Sequence, residues 1–276
     1  MAIITISRQI GSLGTEIAKK LREDLGFNYL DKQSLDEELI QKYGIPEKKV
    51  ERYDEKKPGF WDTFSSDKDS YIHFVKTAMY KFAQQGNCLI IGRGGQFVFK
   101  DLPGALHIRI IAPIALRLER IKKKYNYDDR LADQVLRHSD HDRAGFHKFF
   151  FHTNWDNTDL YDLVINTRLL SVEAAVQLIK DALESTGIME QRVAQESKLA
   201  DICLSQEVIT SIIFMEKIPV QFLEVEALAA SGVVTLRGAT MTAEDMACCE
   251  AVTCKVPGVK EVINEMHYIP ATYGTV

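Results

Sequence analysis

The sequence predicts two folded units: an α/β domain built on a parallel sheet with helices on both faces, then a small α+β domain of helix–strand–strand–helix–strand order. Three observations carry this prediction. Over the first 185 residues or so, five short runs rich in β-branched residues alternate with helical stretches, the order that buries a parallel sheet between helical layers. Near residue 190 the pattern changes to an amphipathic helix, a strand pair, a second helix and a last strand. The 276 residues, 46% of them hydrophobic, can fill two such cores.

In the first unit the strand runs fall at residues 2–7, 27–31, 88–93, 106–112 and 162–167. Apolar spacing places helices at 13–25, 33–43, 70–85, 113–125, 128–137 and 172–184. Between the second and third helices, "EKKVERYDEKKPGFWDTFSSDKDS" is charged and turn-rich, and reads as a surface flap inserted between elements. The first domain is assigned to residues 1–188 and the second to 200–276. In the second, a helix at 204–217 precedes "QFLEVEAL" and "VVTLRG", joined by Ala230, Ser231 and Gly232. Thr242 is the expected N-cap of the next helix, with Asp245 three residues on as an approximate capping box, and Pro257 and Gly258 end it before "VKEVINEMHY".

A formal charge of −5 argues against a nucleic-acid-binding protein, which would show a basic balance, although a local basic cleft remains compatible with it. No signal-like segment or bilayer-length apolar run is visible, so a cytoplasmic protein is expected. Cys88, Cys203, Cys248, Cys249 and Cys254 are odd in number and lack paired C-x-x-C spacing, which favours reduced thiols over a disulfide framework or zinc site. His138, His141, His147 and His152 do not define a ligand set by their spacing.

The stretch "ITISRQIGSLGTEIAKKL" has the strand–loop–helix order of a phosphate-binding loop. Gly11, Ser12, Gly14 and Thr15, with Leu13, can offer backbone amides to phosphate oxygens, and Thr15 or Ser12 can offer a hydroxyl to Mg²⁺. The expected lysine is absent, and its position reads as Gly14. Arg8, at the strand end, can place a guanidinium fork on phosphate instead, or pair with an acidic neighbour such as Asp31. Glu16 suits the helix dipole, yet it would repel a polyphosphate unless a cation lies between. Lys19 and Lys20 fall on the polar helix face. Asp31 closes the second strand, where it either faces ligand or caps the following helix. Arg93 follows a buried strand, where an arginine needs an anionic partner, either a ligand or a protein carboxylate.

Together, "ITISRQIGSLGTEIAKKL", "YLDK" and "CLIIGRGGQFVFKDLP" resemble the cytidylate kinase-like family, a divergent branch of the nucleoside monophosphate kinases with a P-loop fold. The resemblance covers about the first 185 residues. In cytidylate kinases the loop is similar to I-D-G-P-S-G-x-G-K-G-T, which sets Arg8 on the first glycine, Leu13 on a lost one, Gly14 on the lysine and Glu16 on the threonine. The divergent branch typically reads S-R-x-x-G-S-G-G. The resemblance implies transfer of the ATP γ-phosphoryl to a nucleoside monophosphate, CMP or dCMP by default, with Mg²⁺ held by Thr15. Arg8, Asp31 and Arg143 would be catalytic, with Arg93 and Arg137 on the acceptor. Gly94 replaces an aspartate that in cytidylate kinases helps recognise cytosine, which leaves base specificity open. "LRHSDHDRAGFHKFF" resembles the lid segment D-R-D-R-N-R, with His141 and Gly145 in place of two arginines. Asn166 and Arg168 fall near the base of a donor nucleotide.

The C-terminal unit resembles a BON domain through Gly232, Val234, Leu236, Gly238, Gly258, Val259, Val262 and Asn264. Such domains are linked in that family with ligand or membrane-surface binding. A regulatory or dimerising module, hence a homodimer, is the expectation here. Two functional readings stand: a kinase, favoured by Arg93 and the arginine-bearing lid, and a non-catalytic nucleotide sensor, favoured by the lost lysine, Gly94 and thinned lid.

Overall fold

The structure, a computed structural model, describes residues 1–53 and 66–269. The chain divides into two units, Met1–Gln195 and Glu196–Val276. In the first, β1 (Ile3–Arg8), β2 (Asn28–Leu30), β3 (Cys88–Ile91), β4 (Ala105–Ile111) and β5 (Leu163–Asn166) form one parallel sheet of order β2-β3-β1-β4-β5. The placement of β1 at the centre follows from its residues, since Ile3, Ile4 and Ile6 are almost fully buried and both edges are paired. The loop leaving β1 therefore opens at the carboxyl ends of the strands, beside the point where the order reverses.

Helices α1 (Gly14–Leu25), α2 (Lys32–Gln41), α3 (Glu47–Arg52), α4 (Ser66–Ala83), α5 (Gly95–Val98), α6 (Ile114–Tyr125), α7 (Asp129–Phe151) and α8 (Val172–Ser185) complete this unit. Helix α1 turns Ile17, Ala18 and Leu21 onto the β1 side and packs beside Ala175, Val176, Ile179 and Leu183 of α8, forming one core with Ile4, Ile6, Ile108 and Ile110. Two expectations need correction. The segment read as a short helix plus lid is one continuous helix, α7, because Leu136, Phe146 and Phe150 keep an apolar face buried past Arg137. The flap is not wholly irregular, since it contains α3 and its end lies in α4; its residues 54–65 lie outside the described residues.

The second unit begins within α9 (Arg192–Ile209) and continues through a π-helical turn (Thr210–Met215), β6 (Val220–Leu228), β7 (Val233–Thr240), α10 (Ala243–Thr253), β8 (Glu261–Asn264) and β9 (His267–Tyr268). Strand β7 pairs antiparallel with β6 and parallel with both β8 and β9. Its core gathers Leu204, Val208, Ile212, Val234, Leu236, Cys249 and Met266. Thr242 caps α10: its hydroxyl accepts from the Asp245 amide (2.9 Å) and donates to the Asp245 carboxylate (2.6 Å). Among the described residues, no helix is long and apolar enough to cross a membrane. All five cysteines are free thiols, with Cys248 and Cys254 exposed.

Candidate phosphate-binding site

The turn after β1 brings Gly11, at φ 74°, against α6: a Cβ there would lie 2.8 Å from the Arg117 carbonyl oxygen. Helix α6 grips this turn from outside. Arg117, 1% exposed, donates from Nε to the Ile10 carbonyl (2.7 Å) and holds Asp140 through both Nη atoms (2.9 and 2.7 Å). Arg120 donates to the Gly11 carbonyl (3.2 Å) and to Thr167 Oγ1 (2.9 Å), while burial pushes its pKa down. Helix α1 then starts from Leu13, in left-handed backbone at φ 65°, which provides no side-chain cap. Its first-turn amides therefore face outward as an anion-binding end.

These amides line a cavity of about 600 Å³ bounded by Arg8, Gly11, Leu13, Gly14, Thr15, Glu16, Arg120, Lys123, Lys124, Tyr125 and Arg143. Five of these side chains are cationic and one is anionic, so the cavity suits a polyanion. Its single carboxylate, Glu16, is bound by Lys124 at 2.7 Å. Burial raises the Glu16 pKa, but the Lys124 hydrogen bond, the Glu16 amide and the Lys124 and Lys19 charges together hold it below the usual carboxylate value.

A second cleft of about 620 Å³ lies on the other side of Arg8 and Thr15, lined also by Lys19, Tyr29, Asp31, Lys32, Asp36, Glu37 and Glu47. The two clefts thus share a wall made of the strand-end arginine and the first-turn threonine. That wall rests on a steric exchange: a Cβ on Gly14 would lie 2.4 Å from Arg8 Cβ. A side chain at position 8 requires glycine at 14.

The other sequence-predicted residues are distributed unevenly. Arg143 reaches the first cavity from the middle of α7, where it donates to Ser139 Oγ. Asp31 caps α2, accepting from the Ser34 amide (3.0 Å) and hydroxyl (3.1 Å), and also lines the second cleft. Ser12 departs from expectation: it is fully buried, and both its hydroxyl (2.8 Å) and amide (3.3 Å) donate to the Gln9 carbonyl, so it braces the turn from behind. Arg137 is also displaced; it pairs with Asp133 on the solvent face of α7 and is not brought to Arg93. Asn166 accepts from the Arg168 amide and lines a separate cleft with Gln9 and Arg109.

Arg93 is 1% exposed and holds both Asp36 oxygens (2.6 and 2.8 Å), the Tyr53 carbonyl (3.1 Å) and the Tyr71 hydroxyl (3.2 Å). Of the two partners open to it, a protein carboxylate is the one it has here. Gly92, Arg93 and Gly94 all have positive φ, and a Cβ on Gly94 would lie 2.3 Å from the Phe151 ring. An aspartate at position 94 is therefore excluded by α7 as it stands. Sequence reasoning missed Arg117, Arg120 and Lys124; their spacing on one face of α6 was visible, but the loop that face meets lies over 100 residues earlier.

A parallel sheet of this order, with a glycine-bearing anion loop leaving its central strand into a helix, defines an α/β protein of the P-loop type. The chain belongs to the cytidylate kinase-like family, whose sequence model matches residues 3–169. It is 22% identical over 183 residues to the cytidylate kinase of Methanococcus aeolicus, covering 66% of this chain and 97% of that one. With the cytidylate kinase of Methanocaldococcus jannaschii the identity is 24% over 185 residues, covering 66% and 98%. Among solved structures, an uncharacterized protein from Eubacterium ventriosum shares the fold, with a TM-score of 0.53 at 21% identity over 67% of this chain and 99% of that one.

Proposed function

We propose that the first unit is an ATP-dependent phosphotransferase in which Arg8 serves where the P-loop lysine is absent. The observation that carries this reading is the Arg8–Gly14 exchange at the wall between the two clefts. Arg8, on the wall the two clefts share, would place a charged fork between a donor cavity and an acceptor cleft. Gly11, Leu13, Gly14 and Thr15 cradle the donor phosphates through their amides, and Arg143 approaches the migrating group from α7.

Thr15 lines both clefts and Asp31 lines the second, so the Thr15 hydroxyl would hold Mg²⁺ brought in with the nucleotide. Among the described residues no group of three or more His, Cys, Asp or Glu could hold a metal by itself. When bound, the ion would offset charge on the transferring phosphoryl.

The acceptor cleft carries Asp31 as the group that would orient an acceptor hydroxyl. A nucleoside monophosphate, CMP or dCMP first, is the proposed acceptor, a reading supported by the likeness to cytidylate kinases. The second unit, with its α-β-β-α-β order followed by the short β9, is read as a BON-like regulatory or dimerising module.

The test is ADP formation from Mg²⁺–ATP with CMP, dCMP, UMP, AMP and GMP, alongside Arg8→Ala and Arg143→Ala. Turnover with one acceptor, reduced at least roughly a hundredfold in Arg8→Ala with the fold intact, is expected. No turnover with any acceptor, while ATP still raises thermal stability, would make the protein a nucleotide sensor.

A further inference from the structure

We infer that Lys124 is a phosphate-binding lysine supplied from α6, and that its ion pair with Glu16 is the resting position from which it is delivered. This rests on the reading of the cavity as a donor-phosphate site.

Helix α6 presents Arg117, Arg120 and Lys124 on one face, and the first two are fully engaged in holding the turn and its supports. Lys124 extends past them into the cavity and ends 2.7 Å from Glu16 Oε1, in the first turn of α1. Glu16 therefore parks an ammonium at the anion-binding end of that helix.

The parking is loose. Both side chains are about half exposed, 53% for Lys124 and 41% for Glu16, and ion pairs exposed to this degree contribute little. A polyphosphate bound on the first-turn amides is a far stronger partner for the ammonium than one screened carboxylate. The four-carbon stem lets the ammonium turn toward it without backbone movement. In the same step Glu16 loses its cation, so its uncompensated charge opposes the incoming anion and lowers the affinity for it.

A simpler arrangement would leave Lys124 on Glu16 throughout, merely cancelling its charge. A double-substitution cycle in the full-length chain separates the two. With ATP and inorganic triphosphate as probes in calorimetric titration, Glu16→Gln should tighten both severalfold. In that Glu16→Gln background, adding Lys124→Met should weaken both probes about tenfold or more, the size of one charge-assisted hydrogen bond to phosphate. Lys124→Arg should retain affinity, and Lys122→Met, on the same helix but outside the cavity lining, should leave it within about twofold of wild type, each variant keeping wild-type circular dichroism. If Lys124→Met is harmless once Glu16 is neutral, the ammonium only screens the carboxylate and the inference fails. If Glu16→Gln weakens ATP binding only when Mg²⁺ is present, Glu16 is a metal ligand and the inference also fails. Should the wild-type chain bind neither probe, the donor-site reading itself falls with it.

Discussion

At the scale of single residues, the close approach of positions 8 and 14 makes the missing lysine a paired event. Lysine cannot simply be restored at position 14, because its Cβ would enter the space of Arg8 Cβ. Gly14→Lys should therefore lower stability by about 2 kcal/mol in urea unfolding, and Arg8→Gly in the same chain should recover most of it. Arg93 presents a second residue-scale case. Its partner Asp36 is 57 positions away in the chain, a separation that no local pattern exposes, and so the sequence could pose the need for a carboxylate without naming it. Asp36→Asn should destabilise by on the order of 3 kcal/mol, since it removes the charge of a carboxylate that the buried guanidinium holds through both oxygens. The third case is His73 in α4, whose pKa burial pushes down to about 4, with Lys76 adding repulsion. As pH falls below about 6.5, the unfolded chain takes up this proton while the folded chain refuses it. Stability should thus decline between about pH 6.5 and 4, by on the order of 3 kcal/mol at most, and be flat in this respect above that window. His73→Leu should remove this part of the slope in pH-dependent denaturation.

At the scale of elements, the strands were legible because parallel, doubly covered strands are nearly all apolar, as "ITI", "CLII" and "LHIRII" show. Helix α7 was not, because its middle, "RHSDHDRAG", has few apolar residues and reads as a charged loop; helical spacing resumes only at Phe146 and Phe150. The buried Arg117–Asp140 pair ties that polar middle to α6, so a stretch with weak helical signal is held in place by tertiary packing. Asp31 combines a structural and a proposed chemical role at the start of α2, and substitution can part them. Asp31→Ala should lose about 1 kcal/mol with the cap, whereas Asp31→Asn retains the cap and the melting temperature. A fall in phosphoryl transfer of about tenfold or more in Asp31→Asn alone is expected if its charge acts on the acceptor. Equal turnover in Asp31→Asn and wild type would leave Asp31 as a helix cap only.

At the scale of the whole molecule, two units with separate cores should unfold as two calorimetric transitions. ATP at about a hundred times its dissociation constant should stabilise the first unit by about 2.7 kcal/mol and move only that transition upward. The sequence places a break near residue 190 because the strand–helix alternation stops there; the pairing of β8 and β9 along one edge of β7 was not legible, since a two-residue strand carries too little pattern to read. The other edge of that sheet has its own consequence. Among the described residues, strand β6 is paired only with β7, and its ladder slips between Gln221 and Glu224, opposite Gly238, leaving Phe222 outward at φ 52°. An open strand edge is a template on which another chain can zip, and proteins that survive crowding spoil it with kinks and charge. The slipped register and the Glu224 and Glu226 side chains do this here, so their removal should show first as turbidity on concentration, long before any loss of folding.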